Sequence, residues 1–478
     1  MSFEEILKNK DNLQGLPKSY LIRVIVYLVK LVLKQKKKLG DDDPSPTTPP
    51  SQIPPYKKPS KKKKKKKNKN GRRNGHKGTT RNKNIDVTHT CDSKPEGKCS
   101  CGGELGESHP TTKKVVEDIE EVKKTVTEVT IYSSECNVCG SVYEGITPNV
   151  LKNNTIGNNI LVWGIYLHFF IGVSFRNVVS IFNKLLNFDV SAGCLSQNWN
   201  KIADILEVAY DKLIPYLEKP GYAHSDETGW RVSGSTWWAW VFTNRECCIY
   251  FITNSRGSAV PRKFFSDFFN GVLISDFFSA YGLINSLLKQ KCFSHIFTEI
   301  KKCLKIDESE SLKCFCKKLK RILHDAMKLK LDFENSRITK KEFGSKLKLL
   351  EKRLDLLIKS PVGNENKNAK RLRKRLRKFR DEIFTFLYID GIEATNNIAE
   401  RRVRPIALMR KVSFGSYSSR GVKTRYILMS LIQTCKILEI DFIAYAKFAL
   451  NEHIYGREVP GIHEYSSLIA TENEIIAA

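Results

Sequence analysis

The chain has 478 residues, with 81 Lys or Arg against 51 Asp or Glu, so its formal net charge at pH 7 is +30. This length supports two or three domains with a substantial core, and the charge favours a polyanionic partner such as nucleic acid. The 13 cysteines form an odd count and no secretory signal opens the chain, so we expect a reducing compartment and exclude a disulfide-rich secreted scaffold. The apolar segment 21–33 is too short for a membrane span.

The first 88 residues are predicted to form two segments. Residues 1–40 predict a helical segment whose heptad-like apolar spacing suits either self-association or an ordinary amphipathic helix. Residues 41–88 are rich in proline and lysine, with seven consecutive lysines at 61–67. Such a stretch cannot bury enough apolar surface to offset its ordering entropy, so we predict a disordered basic arm. The arm is expected to contact phosphates, and a solvated linker is the alternative.

Clustered cysteines at residues 89–148 predict a small zinc-ribbon-like domain. The pair Cys136-x-x-Cys139 has knuckle spacing, and the following Gly140 permits a tight turn. The other pair has one intervening residue instead of two, so Cys91 is an alternative ligand and reduced structural cysteines are the alternative to zinc. The alternation of β-branched and charged residues at 115–132 predicts strands. The predicted ligands of a structural Zn²⁺ are Cys99, Cys101, Cys136 and Cys139.

The next segment, residues 149–220, is apolar at helical spacing and predicts a helical domain. Within it, a helix-turn-helix over 179–199 is the alternative to plain scaffold helices. From residue 221 the pattern changes to strands, and the predicted elements are strands at 222–226, 235–243 and 247–253, a helix at 260–269, and strands at 272–275 and 291–295. This order predicts an α/β fold with a ribonuclease H-like mixed five-stranded sheet, in which the first and fourth strands lie side by side.

We divide the remaining chain by composition. The first part of the catalytic core spans 221–300, a lysine- and leucine-rich helical insertion spans 301–386, the second part of the core spans 387–435, and a C-terminal segment spans 436–478. Within the insertion, the run at 371–378 carries six cations in eight residues. That density favours contact with DNA, and a plain solvated helix is the alternative.

Three acidic residues carry the most specific chemical signal. Asp226 and Asp276 follow short apolar runs that predict strands, and Glu400 lies on a predicted helix that begins at the capping residues 395–397. Carboxylates of this kind suit a pair of Mg²⁺ ions, or Mn²⁺ in their place, that cut and join phosphodiesters. We assign Asp226 to both ions, Asp276 to one and Glu400 to the other.

Each acid also has a plainer interpretation. A lone Asp at a strand end is usually a turn residue, and Glu400 could pair with Arg404 at helical spacing. Two further acids, Glu227 and Glu393, could compete for the metal, whereas no histidine–cysteine arrangement near the acids suggests zinc catalysis. The cations predicted to contact DNA phosphates beside Glu400 are Arg401, Arg402, Arg404 and Lys411, with Arg410 next to Lys411. A basic helix that only faces solvent is the alternative.

The motifs around these residues resemble those of DDE transposases of the insertion sequence 66 family. The matching motifs are GHKGTTR at 75–81, HSDETGWRV at 224–232, the pairs at 275–276 and 280–281, NNIAERRVRP at 396–405, and the closing segments at 415–421 and 430–434. Two departures occur: CFSH stands at 292–295 where the family has Cys-Trp-Ala-His, and the first cysteine knuckle is one residue short.

The resemblance implies a Mg²⁺-dependent transposase that binds its element's ends and catalyses DNA cleavage and strand transfer, with Asp226, Asp276 and Glu400 as the catalytic acids. Its partner would be double-stranded DNA, both transposon ends and target, with no membrane. It implies a cytoplasmic, nucleoid-associated prokaryotic protein and a homo-oligomer that brings two ends together. The alternatives are a ribonuclease H-like structure-specific nuclease and a zinc-ribbon DNA-binding protein whose catalytic core has decayed.

Overall fold

The computed structural model describes residues 124–306, 309–359 and 367–477, together with the isolated residues 90, 100, 101 and 103. The predictions for the N-terminal helix and the basic arm, and those for Cys91 and Cys99, lie outside the described residues. Over the described ranges, no helix combines the length and the apolar character needed to cross a membrane.

A two-stranded hairpin carries the second cysteine pair. Strands β1 (Ser133–Glu135) and β2 (Val142–Glu144) are antiparallel, and the turn between them contains Cys136 and Cys139. The turn closes where Gly140, at φ +70°, donates its N–H to the Cys136 carbonyl at 2.9 Å. The strands predicted over 115–132 are wrong for the described residues 124–132, which form none. Because the turn sets the register, the residues that pair are those flanking it.

A helical layer precedes the large sheet. Its helices are α1 (Asn158–Ile165), which continues into a π-helical turn (Tyr166–Ile171), α2 (Phe175–Leu185), α3 (Ala192–Ile205) and α4 (Glu207–Asp211). Trp199 of α3 is buried and donates its indole N–H to the Leu161 carbonyl of α1 at 3.1 Å. A Cβ at Gly164 would lie 2.9 Å from the Trp199 ring, so glycine permits this close helix contact. In the region considered as a helix-turn-helix, α3 therefore packs one face against α1 through Trp199.

The main sheet is mixed and has five strands, which confirms the predicted α/β class. The strands are β3 (Tyr222–Val232), β4 (Ser235–Thr243), β5 (Cys248–Thr253), β6 (Phe269–Ser275) and β7 (Ser286–Lys291). Their spatial order is β5-β4-β3-β6-β7. The first three are antiparallel neighbours, whereas β6 pairs parallel with both β3 and β7. The first and fourth strands therefore lie side by side, as predicted.

Two predicted elements around β6 and β7 are wrong. The helix expected at 260–269 is only a 3₁₀ turn, Pro261–Lys263, and β6 already begins at Phe269. The fifth strand, expected at 291–295, ends at Lys291, and helix α6 (Phe293–Ile306) begins two residues later. Short apolar runs give little periodicity, so they do not distinguish a strand from the first turn of a buried helix.

Gly271 allows β6 to approach the start of β3. A Cβ there would lie 2.5 Å from the carbonyl oxygen of Gly221, which accepts a hydrogen bond from Val272 N–H at 3.0 Å. The parallel pairing that follows joins Tyr222 to Val272 and His224 to Ile274. This small residue therefore helps to set the register on which the acidic site depends.

Beyond the sheet, a group of helices packs on one face of β6. A short helix, α5 (Ser279–Gly282), lies between β6 and β7; after α6 come α7 (Glu310–Glu334), α8 (Lys340–Lys359), α9 (Lys367–Lys378) and the short α10 (Thr385–Tyr388). Val272 and Ile274 of β6 are buried in the same cluster as α6 to α10, while Leu273 faces the other core, to which α5 belongs. The strand thus separates two cores.

The arginine-rich helix α9 is amphipathic. Its Leu372 and Leu376 are buried, and Arg371 and Arg375 form ion pairs with the buried Glu299 of α6. Part of the run predicted to contact DNA therefore holds the helical insertion against α6.

Four helices complete the chain: α11 (Asn397–Ser413), α12 (Ser419–Ile437), α13 (Phe442–Ile454) and α14 (Ile462–Ala477). Helix α12 packs along the outer strand β5. The Ser430 and Thr434 hydroxyls accept hydrogen bonds from the Tyr250 and Cys248 amides at 2.8 and 3.0 Å.

Candidate active site

Asp226 and Asp276 occupy equivalent positions on neighbouring parallel strands. His224 of β3 pairs with Ile274 of β6, and each aspartate follows two residues later. Both residues are half-buried at the edge where the parallel pairing ends. Asp226 was predicted at a strand end, which is wrong, because β3 continues to Val232 in its antiparallel pairing with β4. Asp226 instead lies just after the last residue of β3 that pairs with β6, in the part of β3 that pairs with β4.

The end of β6 is held by a buried lysine. Lys291, at the end of β7, donates from Nζ to Ser275 Oγ and to the Asp276 carbonyl, both at 3.1 Å. It also forms an ion pair with Glu382 at 3.4 Å, and burial lowers the pKa of its ammonium group. Asp276 Oδ1 accepts the Phe278 N–H at 2.8 Å. These contacts fix the backbone on both sides of the Asp276 carboxylate.

Glu400 lies in the first turn of α11, and Asn396 attaches that turn to the sheet. Asn396 is buried and precedes the helix as predicted, but its side chain does not cap it. Instead, its Nδ2 donates to the Ser225 carbonyl at 2.8 Å and its Oδ1 accepts from His224 Nδ1 at 3.0 Å. Ser225 immediately precedes Asp226, so one amide side chain joins the Glu400 helix to the Asp226 strand.

Electrostatics agree with a shared pocket. Burial raises the pKa of Asp226 well above its usual range, and the negative charges of Glu227, Asp276 and Glu400 raise it further. Burial also lowers the pKa of the neighbouring His224 to about 4, so that imidazole is neutral at physiological pH. A concentration of carboxylates is an environment that favours a divalent cation.

Glu227, considered as a rival metal ligand, is already occupied. Its Oε1 accepts from Arg256 Nη2 at 2.6 Å, and its Oε2 accepts from the Tyr281 hydroxyl at 2.5 Å. The Arg256 guanidinium stacks over the rings of Trp238 and Phe278 at 4.3 and 4.0 Å. Burial and then the Asp276 charge raise the pKa of Glu227 to about 7. This network supports β3 beside Asp226. The other rival, Glu393, is exposed and accepts a hydrogen bond from Thr395 at 3.5 Å.

The prediction that no histidine–cysteine arrangement lies near the acids is wrong. Cys292 Sγ lies 3.9 Å from Glu400 Oε1, and His295 Nδ1 lies 3.6 Å from the same oxygen. Sequence reasoning missed them because a strand was expected over 291–295, which would have sent these side chains to opposite faces. The spacing Cys-x-x-His at a helix start was the available signal, since such residues share one face.

The cations of α11 divide into two groups. Arg401, Arg404 and Lys411 are exposed, and helical spacing puts Arg404 and Lys411 on the Glu400 face. The other two are engaged internally: Arg410 donates to Thr228 Oγ1 at 3.2 Å and to the Gly229 carbonyl, and Arg402 donates to Gln433 at 3.4 Å. The exposed three are therefore the cations free to meet a phosphate backbone.

The described part of the predicted zinc site is limited to three cysteines. Cys139 and Ser141 form a side-chain hydrogen bond at 3.2 Å, which lowers the pKa of the Cys139 thiol. Cys101 and Cys139 are exposed and Cys136 is half-buried. Over the described ranges, the donor atoms gathered closely enough to hold an ion belong to Cys292, His295 and Glu400, and not to these three.

Comparison with known families gives a match. The model described as Transposase IS66 family matches residues 154–424, more than half of the chain. The matched region contains Asp226, Asp276 and Glu400, the five-stranded sheet and the helices inserted before α11. No curated protein matches the chain.

Proposed function

Because the chain belongs to the Transposase IS66 family, we propose that it binds the ends of its own insertion sequence and catalyses metal-dependent DNA cleavage and strand transfer. The observation that carries this proposal is the register of β3 and β6, which aligns Asp226 with Asp276, together with the attachment of the Glu400 helix to Ser225. This arrangement, and the effect of the Asp276 and Glu400 charges on the pKa of Asp226, support the proposal that the three carboxylates act at one site.

The residues suit Mg²⁺, since all three proposed ligands are hard carboxylate oxygens. We propose that Asp226 contacts two ions, Asp276 one and Glu400 the other, with Mn²⁺ able to replace Mg²⁺. When bound, such ions supply charge neutralisation and an activated oxygen nucleophile for phosphodiester chemistry. The chain's own part is to position these groups: Lys291 holds the Asp276 backbone, and Asn396 attaches the start of the Glu400 helix to Ser225.

The strand order supports a ribonuclease H-like core. Three antiparallel strands followed by two parallel ones, with the fourth beside the first, is the order predicted from the sequence. Function cannot be taken from topology alone, because one fold hosts many chemistries. The topology gains weight here because the acids lie at its central strand pair.

DNA binding rests on charge and its distribution. The formal net charge is +30, and the exposed Arg401, Arg404 and Lys411 lie on the helix that carries Glu400. We propose that these three side chains contact phosphates of the strand to be cut. Two transposon ends must be brought together, so we propose a homo-oligomer on double-stranded DNA in a prokaryotic cytoplasm.

A structural Zn²⁺ remains part of the proposal. The hairpin turn presents Cys136 and Cys139 from one tight loop, as a zinc knuckle does. The partner ligands would be Cys99 and Cys101, with Cys91 as the alternative.

The test is a purified-protein assay on duplexes that carry the element's own ends, with Mg²⁺ and a target plasmid. The proposal predicts cleaved ends and joined products, and their loss in Asp226→Asn with DNA binding retained. Cleavage of branched duplexes with no joined product from linear ends would favour a structure-specific nuclease instead. Mg²⁺-independent end binding without any cutting would favour a decayed DNA-binding protein.

A further inference from the structure

We propose that Cys292, His295 and Glu400 form a second metal site, selective for Zn²⁺ and similar transition-metal ions, that shares Glu400 with the proposed Mg²⁺ site. The three donor atoms all lie within 4.8 Å of one another. The existence of this site is independent of catalysis, whereas its consequence for Mg²⁺ rests on the proposed function.

The distances suit a four-coordinate ion. With Zn–S near 2.3 Å and Zn–N or Zn–O near 2.1 Å, a tetrahedral site needs S···O of about 3.6 Å and N···O of about 3.4 Å. The observed separations are 3.9 Å between Cys292 Sγ and Glu400 Oε1, and 3.6 Å between His295 Nδ1 and Glu400 Oε1. Small side-chain rotations close these gaps, and three protein ligands leave a fourth position open.

The sulfur lies in a cradle suited to a thiolate. The backbone N–H of Asn396 donates to Cys292 Sγ at 3.0 Å, just before the start of α6. An ion that binds here would displace the thiol proton to solvent as the metal–sulfur bond forms.

The imidazole nitrogen is free to bind. His295 Nδ1 is enclosed and makes no hydrogen bond, although it faces the Glu400 carboxylate. The His295 side chain as a whole is 37% exposed, so an ion can enter from solvent. At 3.6 Å, Nδ1 and Glu400 Oε1 are too far apart for a direct hydrogen bond, and a cation between them would bind both atoms.

The donor set determines which ion is favoured. Thiolate and imidazole prefer Zn²⁺ and Co²⁺, whereas Mg²⁺ prefers oxygen and binds thiolates poorly. An ion in this site draws on the Glu400 oxygen that the proposed Mg²⁺ site also needs. Zn²⁺ should therefore compete with Mg²⁺ for Glu400.

Cobalt provides a direct probe, because a thiolate bound to Co²⁺ gives a near-ultraviolet charge-transfer band and four-coordinate Co²⁺ gives visible bands. The full-length protein is titrated with Co²⁺ as wild type and as Cys292→Ser, His295→Asn and Cys314→Ser. Cys314 is an exposed cysteine on α7 and controls for loss of a thiol. Any signal from Cys136 and Cys139 is common to all four proteins.

We expect wild type and Cys314→Ser to bind one more Co²⁺ than Cys292→Ser, with His295→Asn weakened at least about tenfold. Equal stoichiometry and affinity in all four proteins would overturn the site. So would full binding by His295→Asn, since the signal would then come from a thiol alone. His295→Asn removes no hydrogen bond of Nδ1, so it carries the test if Cys292→Ser fails to fold by circular dichroism.

A Mg²⁺ competition arm tests the shared ligand. Excess Mg²⁺ should raise the Co²⁺ concentration at which the wild-type optical signal reaches half of its maximum. If Mg²⁺ does not change that concentration, the sharing of Glu400 is overturned. Because the readout is optical, a protein that cuts no DNA can still bind Co²⁺ here. Failure of the proposed function and failure of this site are therefore distinguishable.

Discussion

The strand-borne acids and the helix-borne acid are held in different ways. Asp226 and Asp276 owe their proximity to the backbone ladder between β3 and β6, which any side chain at those positions would leave intact. Glu400 owes its position to the side chain of Asn396, which bonds across to β3. A carboxylate on a strand can therefore be replaced without moving the pocket, whereas the helix acid depends on a second residue that performs no chemistry itself.

Asp226→Asn tests the strand side and has the largest expected effect. Cleavage should fall by roughly 10⁴-fold, as for loss of one member of a catalytic unit. The melting temperature should stay level or rise, because the change removes a half-buried carboxylate repelled by its neighbours. Gel-based cleavage and a thermal melt measure both quantities.

The control is Asp267→Asn, which removes an exposed carboxylate just before β6. A comparable loss of cleavage in that variant would contradict a specific role for Asp226. A large drop in the Asp226→Asn melting temperature would contradict positioning by the backbone.

Asn396→Ala tests the helix side. It removes two buried hydrogen bonds and leaves the Ser225 carbonyl unpaired, so we expect the free energy of unfolding to fall by about 2–4 kcal/mol. Cleavage should also decline, because Glu400 loses its fixed position. Chemical denaturation and the same cleavage assay measure the two effects.

Asn397→Ala is the matched control, since Asn397 is half-buried and accepts one bond from Ser294 Oγ at 3.1 Å. We expect the free energy of unfolding of this variant to fall by about 1 kcal/mol or less. Equal losses of stability and cleavage in the two variants would contradict a specific role for Asn396 in positioning Glu400.

Glu227→Gln sharpens the comparison within β3 itself. The amide keeps the shape but loses the charge that pairs with Arg256, so stability should fall by about 1–3 kcal/mol. Cleavage should suffer far less than in Asp226→Asn, because Glu227 supports the strand and does not face the proposed metals. A loss as large as that of Asp226→Asn would instead make Glu227 a ligand.

A pH series on wild type and a His168 variant tests the helical layer, because the contribution of His224 is common to both proteins. Burial, with Arg425 nearby, lowers the pKa of His168 to about 3, against an ordinary value of 6.5. As the pH falls, His168 takes up its proton in the unfolded chain before it does so in the folded chain. Its contribution to the free energy of unfolding is therefore fully present above pH 6.5. It is lost at about 1.4 kcal/mol per pH unit as pH falls from 6.5 towards 3.

Denaturation at several pH values measures this slope. His168→Phe, which suits the aromatic surroundings of Phe169, Phe175 and Trp199, should flatten it. An unchanged slope in that variant would assign the acid sensitivity to other groups.

Sequence patterns predicted the parts that depend on local chemistry. The strand at 235–243 is confirmed to the residue, because its β-branched and aromatic run is bounded by clear turns. The approach of β3 to β6 followed from strand order. The three acids stay a prediction for catalysis: the register aligns Asp226 with Asp276, and Glu400 lies on the helix that Asn396 attaches to β3.

Contacts between distant residues were not predictable in this way. Asn396 fits a capping pattern, yet its side chain bonds to Ser225 and His224, which precede it by 171 and 172 positions in the sequence. The Cys292 and His295 contacts with Glu400 were hidden by the expected fifth strand. Both errors arise because local patterns do not show which tertiary partner competes for a side chain.

The hydroxyls that α12 presents to β5 also limit how copies of the chain can assemble. With the Cys248 and Tyr250 amides already satisfied by Thr434 and Ser430, the outer margin of the sheet offers no free donors there for another strand. Joining two copies into one continuous sheet through β5 would first require α12 to detach. Protomers brought together on DNA should therefore not pair strand to strand through β5.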